Sequence, residues 1–213
     1  MSETTNLQQA APNLIRTFDG VELPAAGLWH IPSGWANIEL SVQRSFGPAL
    51  RSRIRLKQGM IAIADDPAHS TAHLSLDAAS VRTGNATIDD YLHDEVLDTR
   101  KYSTIPVHIA SVDYRGGSTW AADGWITVRG TSTPIALTIS YDGVFRRGPA
   151  ALFRARATIP LRSLLPATGG LRGRLLAART LRIDVEMHAE RIRATADRAL
   201  VAQRREVAEL ATV

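Results

Sequence analysis

Residues 89–95, with the sequence DDYLHDE, bring carboxylates and a histidine close together and could do acid–base or metal chemistry. If this segment is helical, Asp90, His93 and Asp94 lie on one side of it. The apolar residues between them would anchor such a helix, and carboxylates near a helix N-terminus are favoured by the helix dipole. We therefore interpret the segment as a helix with a solvated acidic face rather than as a metal site.

Two further groups of polar residues could be taken for binding sites. His69 and His73 are predicted to lie on a strand, where they would be about 13 Å apart, too far to share one metal ion. Thr83-Gly84-Asn85 could form an anion-binding turn, but the start of a helix capped by Asn85 or Thr87 explains it more simply. We predict a metal ion at neither place.

The chain lacks the sequence motifs of several classes of enzyme. The 213 residues contain no cysteine, which excludes disulfides, thiolate zinc sites and cysteine nucleophiles. The sequence has no G-x-S-x-G, P-loop or dinucleotide-binding glycine motif. We accordingly predict no cofactor, no metal and no catalytic residue.

The composition indicates which binding partners and which cellular compartment to expect. The net charge is +4, the arginines are scattered, and the 6% of aromatic residues do not alternate with basic ones. This pattern does not favour nucleic-acid binding. The first 26 residues lack the pattern of a secretion signal, and no stretch approaches the roughly 20 apolar residues of a spanning helix. We expect a cytoplasmic protein with no transmembrane segment.

From residue 27 onward, apolar and polar residues alternate with the period of two that is typical of half-buried antiparallel strands. Turn residues separate about eight such runs, so the pattern favours a meander of long strands, and closure into a barrel would remove exposed edges. The apolar positions change face after Leu56, and we predict a bulge at Gly59. These patterns predict an all-β fold, an antiparallel barrel of about eight strands with one short helix inserted between two of them.

The same patterns divide the chain into three parts. Residues 1–26 are predicted to be a partly mobile N-terminal segment, and residues 27–190 form the barrel. Residues 191–213 are rich in helix formers and are predicted to form a C-terminal surface helix, through which a homodimer is one alternative. The apolar strand faces allow two interpretations, a packed core or a cavity for an apolar ligand, and periodicity does not decide between them.

Residues 74–111 read LSLDAASVRTGNATIDDYLHDEVLDTRKYSTIPVHIAS, and together with the later GWITVRG of residues 124–130 they resemble the YceI-like family of lipocalin-like polyisoprenoid-binding proteins. The shared features are a strand, a T-G-N turn, an acidic residue (Asp89 or Asp90), an L-D followed by a K-Y, and a proline that opens the next strand. The resemblance covers roughly residues 27–190.

The resemblance implies an eight-stranded antiparallel, lipocalin-like barrel with one short helix over a mouth. Such a barrel would bind an apolar chain, such as a polyisoprenoid, an isoprenoid quinone or a similar lipid. The residues predicted to face the ligand are Leu74, Leu76, Val107, Ile109, Trp120, Ile126, Leu137, Ile139, Phe153, Ile183, Val185 and Met187. The alternatives are a ligand-free interaction module with a filled core and a hydrolase of lipid-like substrates. No motif supplies the activated nucleophile that the hydrolase would need.

Overall fold

The computed structural model describes residues 14–42, 49–144, 150–164 and 180–192. The strands are β1 (Ile15–Phe18), β2 (Val21–Pro24), β3 (Gly27–Ile31), β4 (Ala36–Val42), β5 (Leu50–Ile63), β6 (Thr71–Arg82), β7 (Thr104–Gly116), β8 (Thr119–Val128), β9 (Thr131–Val144), β10 (Ala150–Pro160) and β11 (Thr180–Arg191). Helix α1 (Ala86–Tyr91) continues as a π-helical turn (Leu92–Val96), and α2 (Leu161–Leu164) is a single turn. A 3₁₀ turn spans Pro67–His69.

The strands from β5 to β11 pair antiparallel, each with the next along the chain. β3 and β4 together take one place in the ring, because both pair with β5 on one side and with β11 on the other. The described residues thus form a closed barrel of eight antiparallel strands, which confirms the predicted fold class.

One local prediction in β5 was wrong. The register slips at Lys57, since Leu56 pairs with Leu76 while Gln58 pairs with the adjacent Ser75. Lys57 and Gln58 are both exposed, as expected of two consecutive residues at a bulge. Gly59, where the bulge was predicted, pairs regularly with Leu74.

The outer face of the barrel carries many of the scattered arginines. Arg154 is paired with Glu186 and Asp142, and Arg156 and Arg182 both bind Asp184. Hydrogen bonds from Arg182 and Arg156 lower the pKa of the Asp184 carboxyl. Exposed ion pairs of this kind are each worth about 1 kcal/mol or less. The arginines therefore balance acidic residues on neighbouring strands and do not form a basic patch there.

A hairpin of β1 and β2 precedes the barrel strands. Asp19 and Gly20 have φ values of 48° and 76°, and positive φ at both central positions is the mark of a type I′ turn. The hairpin lies within residues 1–26, where the sequence pattern does not predict strands. Residues 1–13 and the predicted C-terminal helix beyond residue 192 lie outside the described residues, so their proposed mobility and helicity stay predictions.

Candidate functional site

The barrel encloses a cavity of about 310 Å³. Almost its whole wall is apolar, because inward side chains alternate with outward polar ones along every barrel strand. The volume lies at the lower end of the range for small-molecule sites. The interior of the barrel is thus a cavity, which was one of the two interpretations that periodicity left open.

The structure places all twelve predicted ligand-facing residues on the wall of this cavity. They come from six strands, β6, β7, β8, β9, β10 and β11. Ala72, Ala155 and Ala157 line it as well, and their small side chains leave space between the larger ones. The part that these residues play in holding a ligand stays a prediction.

One end of the cavity lies beneath α1 and its π-helical turn, which contribute Tyr91, Leu92 and Val96 to the wall. One hydrogen bond caps the helix, and another joins its far end to the barrel. The side chain of Asn85 accepts a hydrogen bond from the Ile88 N–H at 3.2 Å, so Asn85 is the N-cap. On the far side of the helix, Arg129 donates a hydrogen bond to the carbonyl oxygen of Glu95 at 3.1 Å.

Asp89 ties the T-G-N turn to the helix. Its carboxylate accepts hydrogen bonds of 2.7 Å from both the backbone N–H and the hydroxyl of Thr83. Burial raises the pKa of the Asp89 carboxyl, but these hydrogen bonds and the nearby charge of Arg82 outweigh it and hold the pKa below 3.8. The turn therefore positions the helix, while Asp90, the other candidate acid, is exposed.

The other end of the cavity lies beside the β1–β2 hairpin. Arg16 on β1 donates hydrogen bonds of 2.5 Å to the carbonyl oxygens of Ala64 and Asp65, just beyond the end of β5. Its Nε is buried and has no hydrogen-bond partner among the described residues. Arg16, Leu23 and Pro24 all line the cavity. Sequence analysis missed them, although Asp19-Gly20 between short apolar runs is a hairpin signal.

Tyr141 on β9 is the second polar residue associated with this end. It is 5% exposed, it lines the cavity, and its hydroxyl has no hydrogen-bond partner among the described residues. Burial, with a smaller contribution from the negative charge of Glu22 on β2, raises the pKa of Tyr141 to about 12. The phenol is therefore neutral at physiological pH and can donate a hydrogen bond.

The described part of the chain holds no group of three or more histidine, aspartate or glutamate side chains that could bind a metal ion. His93, from the acidic cluster, instead lies within hydrogen-bond distance of Arg82 and of the carbonyl oxygen of Val81. No helix among the described residues has the length and apolar character that a membrane crossing requires.

A closed antiparallel barrel around an apolar cavity, with a helix over one end, defines a lipocalin-like protein. The model of the YceI-like domain matches residues 29–189, and the chain belongs to the YceI-like family. This confirms the resemblance drawn from the sequence. The β1–β2 hairpin lies outside the matched residues.

Solved structures share this fold at low sequence identity. BcnA of Burkholderia cenocepacia has a TM-score of 0.62 and 14% identity, with 72% of this chain and 95% of that chain covered. A polyisoprenoid binding domain from Saccharophagus degradans, implicated in plant cell wall breakdown, has a TM-score of 0.55 and 17% identity, with 77% and 98% covered. The YceI protein of Campylobacter jejuni has a TM-score of 0.57 and 17% identity, with 71% of this chain and 91% of that chain covered. No curated protein matches the chain significantly.

That the protein binds a ligand and is not an enzyme stays a prediction. The predicted cytoplasmic location, the homodimer and the absence of nucleic-acid partners stay predictions.

Proposed function

We propose that this protein binds and carries an apolar chain-like lipid, a polyisoprenoid, an isoprenoid quinone or a similar molecule, inside the barrel and without catalysis. The observation that carries the proposal is the apolar cavity of about 310 Å³ inside a closed barrel. Each ligand methylene moved from water into such a wall contributes about 0.8 kcal/mol. A chain-like ligand suits the cavity because its wall spans from the α1 cover to the β1–β2 hairpin.

The ligand itself is identified most directly from the protein as purified. Native mass spectrometry should show an added mass at a ratio near one per chain, and organic extraction should release a lipid of the isoprenoid type. A chain that carries no lipid and takes up neither added polyprenols nor quinones would overturn the proposal. That outcome would favour the alternative of an interaction module. Release of a cleaved product from an added lipid ester would instead favour the hydrolase.

A matched pair of variants tests whether the ligand lies in the cavity. Ala155→Leu adds volume to the cavity wall, whereas Ala136→Leu adds the same volume on the exposed face of the neighbouring strand β9. We expect Ala155→Leu to weaken lipid uptake about tenfold or more, since added wall atoms displace ligand atoms, and Ala136→Leu to leave it unchanged. Equal uptake by the two variants would place the ligand elsewhere.

We also propose that the polar end of the ligand lies at the hairpin end of the cavity. Arg16 Nε and the hydroxyl of Tyr141 are both buried, and neither has a hydrogen-bond partner in the part of the chain that the structure describes. A buried polar group without a partner costs roughly 1–3 kcal/mol. Both groups can donate, so an acceptor oxygen such as a quinone carbonyl would satisfy them.

The orientation is tested with Tyr141→Phe, which removes only the hydroxyl. We expect Tyr141→Phe to weaken binding of a long-chain quinone severalfold and to leave binding of a hydrocarbon of equal chain length unchanged. Tyr91→Phe is the matched control. The hydroxyl of Tyr91 is also buried and has no partner among the residues described, but Tyr91 belongs to α1 and lines the other end of the cavity. If Tyr91→Phe alone weakens quinone binding, the ligand has the opposite orientation.

A further inference from the structure

Three aromatic rings stand in a row on the outside of the barrel, away from the cavity. His73 on β6 is the direct cross-strand partner of His108 on β7, and His108 is the partner of Trp125 on β8. The neighbours of these residues along each strand, such as Leu74, Val107 and Ile126, line the cavity, so the three rings point outward.

The two imidazoles face each other through the same type of nitrogen. His108 Nδ1 and His73 Nδ1 are 3.0 Å apart, and the ring centroids are 4.2 Å apart. At this distance the two nitrogens share one proton, since one must donate to the other. His73 is exposed and His108 is partly buried, so the pair can be reached from solvent.

The same separation suits two ligands of a single metal ion. Imidazole nitrogens bind zinc at about 2.0–2.1 Å, and comparable bonds place two nitrogens about 2.9 Å apart at a right angle and about 3.3 Å apart at a tetrahedral angle. The observed 3.0 Å lies between these values. A metal ion could replace the shared proton once both rings turn so that their Nδ1 lone pairs point at it.

We propose that His73 and His108 form a surface site for a late divalent transition metal, with Cu²⁺ bound most tightly and Ni²⁺ and Zn²⁺ more weakly. Imidazole suits these ions, and the order follows their general preference for nitrogen ligands. On metal binding the shared Nδ1 proton passes through solvent to the free Nε2 of the same ring, so both ligands are neutral imidazoles. The two histidines supply two ligands, and water or a group on a partner molecule completes the coordination.

The surrounding sheet holds the two ligands in place. Their strands pair in regular register from Ala72 to Asp77, so the distance between the two backbones is fixed by hydrogen bonds. The ring of Trp125 stacks on that of His108, at 5.6 Å between centroids and 24° between planes, and limits its rotation. A ligand pair that needs little ordering loses less free energy on binding a metal.

Trp125 also provides the signal that tests the site. Titrating untagged full-length protein with Cu²⁺ should quench tryptophan emission at a ratio of one ion per chain, because bound copper would lie close to the exposed indole of Trp125. We expect His73→Ala and His108→Ala each to weaken Cu²⁺ binding about tenfold or more, since each leaves one protein ligand. Electron paramagnetic resonance of the wild-type complex should show two coordinating nitrogens.

The chain offers a matched control on another part of the barrel. His188 lies beside the exposed Trp35, with ring centroids 6.3 Å apart. Because His188 lies on β11 and is not one of the two proposed ligands, His188→Ala should leave both the Cu²⁺ affinity and the quenching of tryptophan emission unchanged. Trp125→Phe keeps both ligands, so calorimetry should give wild-type affinity while most of the quenching is lost. If His73→Ala and His108→Ala both bind Cu²⁺ with wild-type affinity while their circular dichroism is unchanged, the proposed metal site is wrong.

Discussion

An added Cβ at Gly124 would lie 2.0 Å from the carbonyl oxygen of His108 on the neighbouring strand. Backbone atoms block the space, so the two strands would have to separate. We expect Gly124→Ala to lower the free energy of unfolding by about 1–3 kcal/mol or more. Urea denaturation measures the loss, and Asp123→Ala, at the exposed adjacent position, should stay within about 0.5 kcal/mol of wild type. Equal stability of the two variants would show that β7 and β8 can move apart freely.

Asp89 and Asp90 are adjacent aspartates, but Asp89 is buried and bound to Thr83 whereas Asp90 is exposed. Thr83 holds the pKa of Asp89 below 3.8, so its stabilisation is fully present above that pH and is lost as the pH falls through the lowered pKa. Asp89→Asn should therefore be less stable than wild type at neutral pH, with the difference shrinking below about pH 4. Thermal melts across this range test the trend. Asp90→Asn, at an exposed position, should follow the wild-type curve.

The sequence limits both the N-cap of α1 and its buried acidic residue to two candidates each, but it does not decide between the two candidates. Asn85 and Thr87 are both good N-caps, and Asp89 and Asp90 both fit the acidic position. The choice depends on which side chain faces the turn, and that depends on where β6 ends at Arg82. The His73–His108 pair was missed for a similar reason. The two lie 35 residues apart, and neither strand's own pattern reveals its register against the other.

At the scale of elements, the strands and their inward faces were predictable because side chains alternate across every strand. All twelve predicted inward residues lie on the cavity wall for this reason. The bulge was predicted at Gly59, two positions after the register slip at Lys57. The slip places the polar residues Lys57 and Gln58 next to each other, and the alternation of apolar residues becomes visible again only after Gly59. The β1–β2 hairpin was missed because its strands are four residues each, too short to show a period.

The hairpin should control how fast ligand leaves the barrel, since Leu23 and Pro24 line the cavity and Arg16 joins the hairpin to the end of β5. Deleting residues 1–24 should leave the barrel folded and speed the dissociation of a fluorescent lipid about tenfold, because burial of Leu23 and the Arg16 hydrogen bonds are lost. Stopped-flow measurements give the rate. Deleting residues 1–13 keeps the hairpin and should not change it. Identical rates in both deletions would show that ligand leaves by the α1 end.

For the whole molecule, ligand binding and folding are linked, because only the folded barrel encloses a cavity. Free ligand at a hundred times its Kd should add about 2.7 kcal/mol to the free energy of unfolding. For a domain of this size that raises Tm by about 5–10 °C. Calorimetry of delipidated protein with a long-chain quinone tests this, with the same head group lacking its tail as control. An equal shift from the tailless compound would mean that the apolar wall is not the binding surface.

The cavity also affects how the barrel responds to hydrostatic pressure. Pressure favours the state of smaller volume, and unfolding eliminates internal voids. A space of about 310 Å³ with an almost wholly apolar wall is poorly hydrated, so the empty barrel should be compressible and should unfold at moderate pressure. Cargo that fills the space removes this volume difference. Compressibility would therefore distinguish a loaded barrel from an empty one before the cargo is identified.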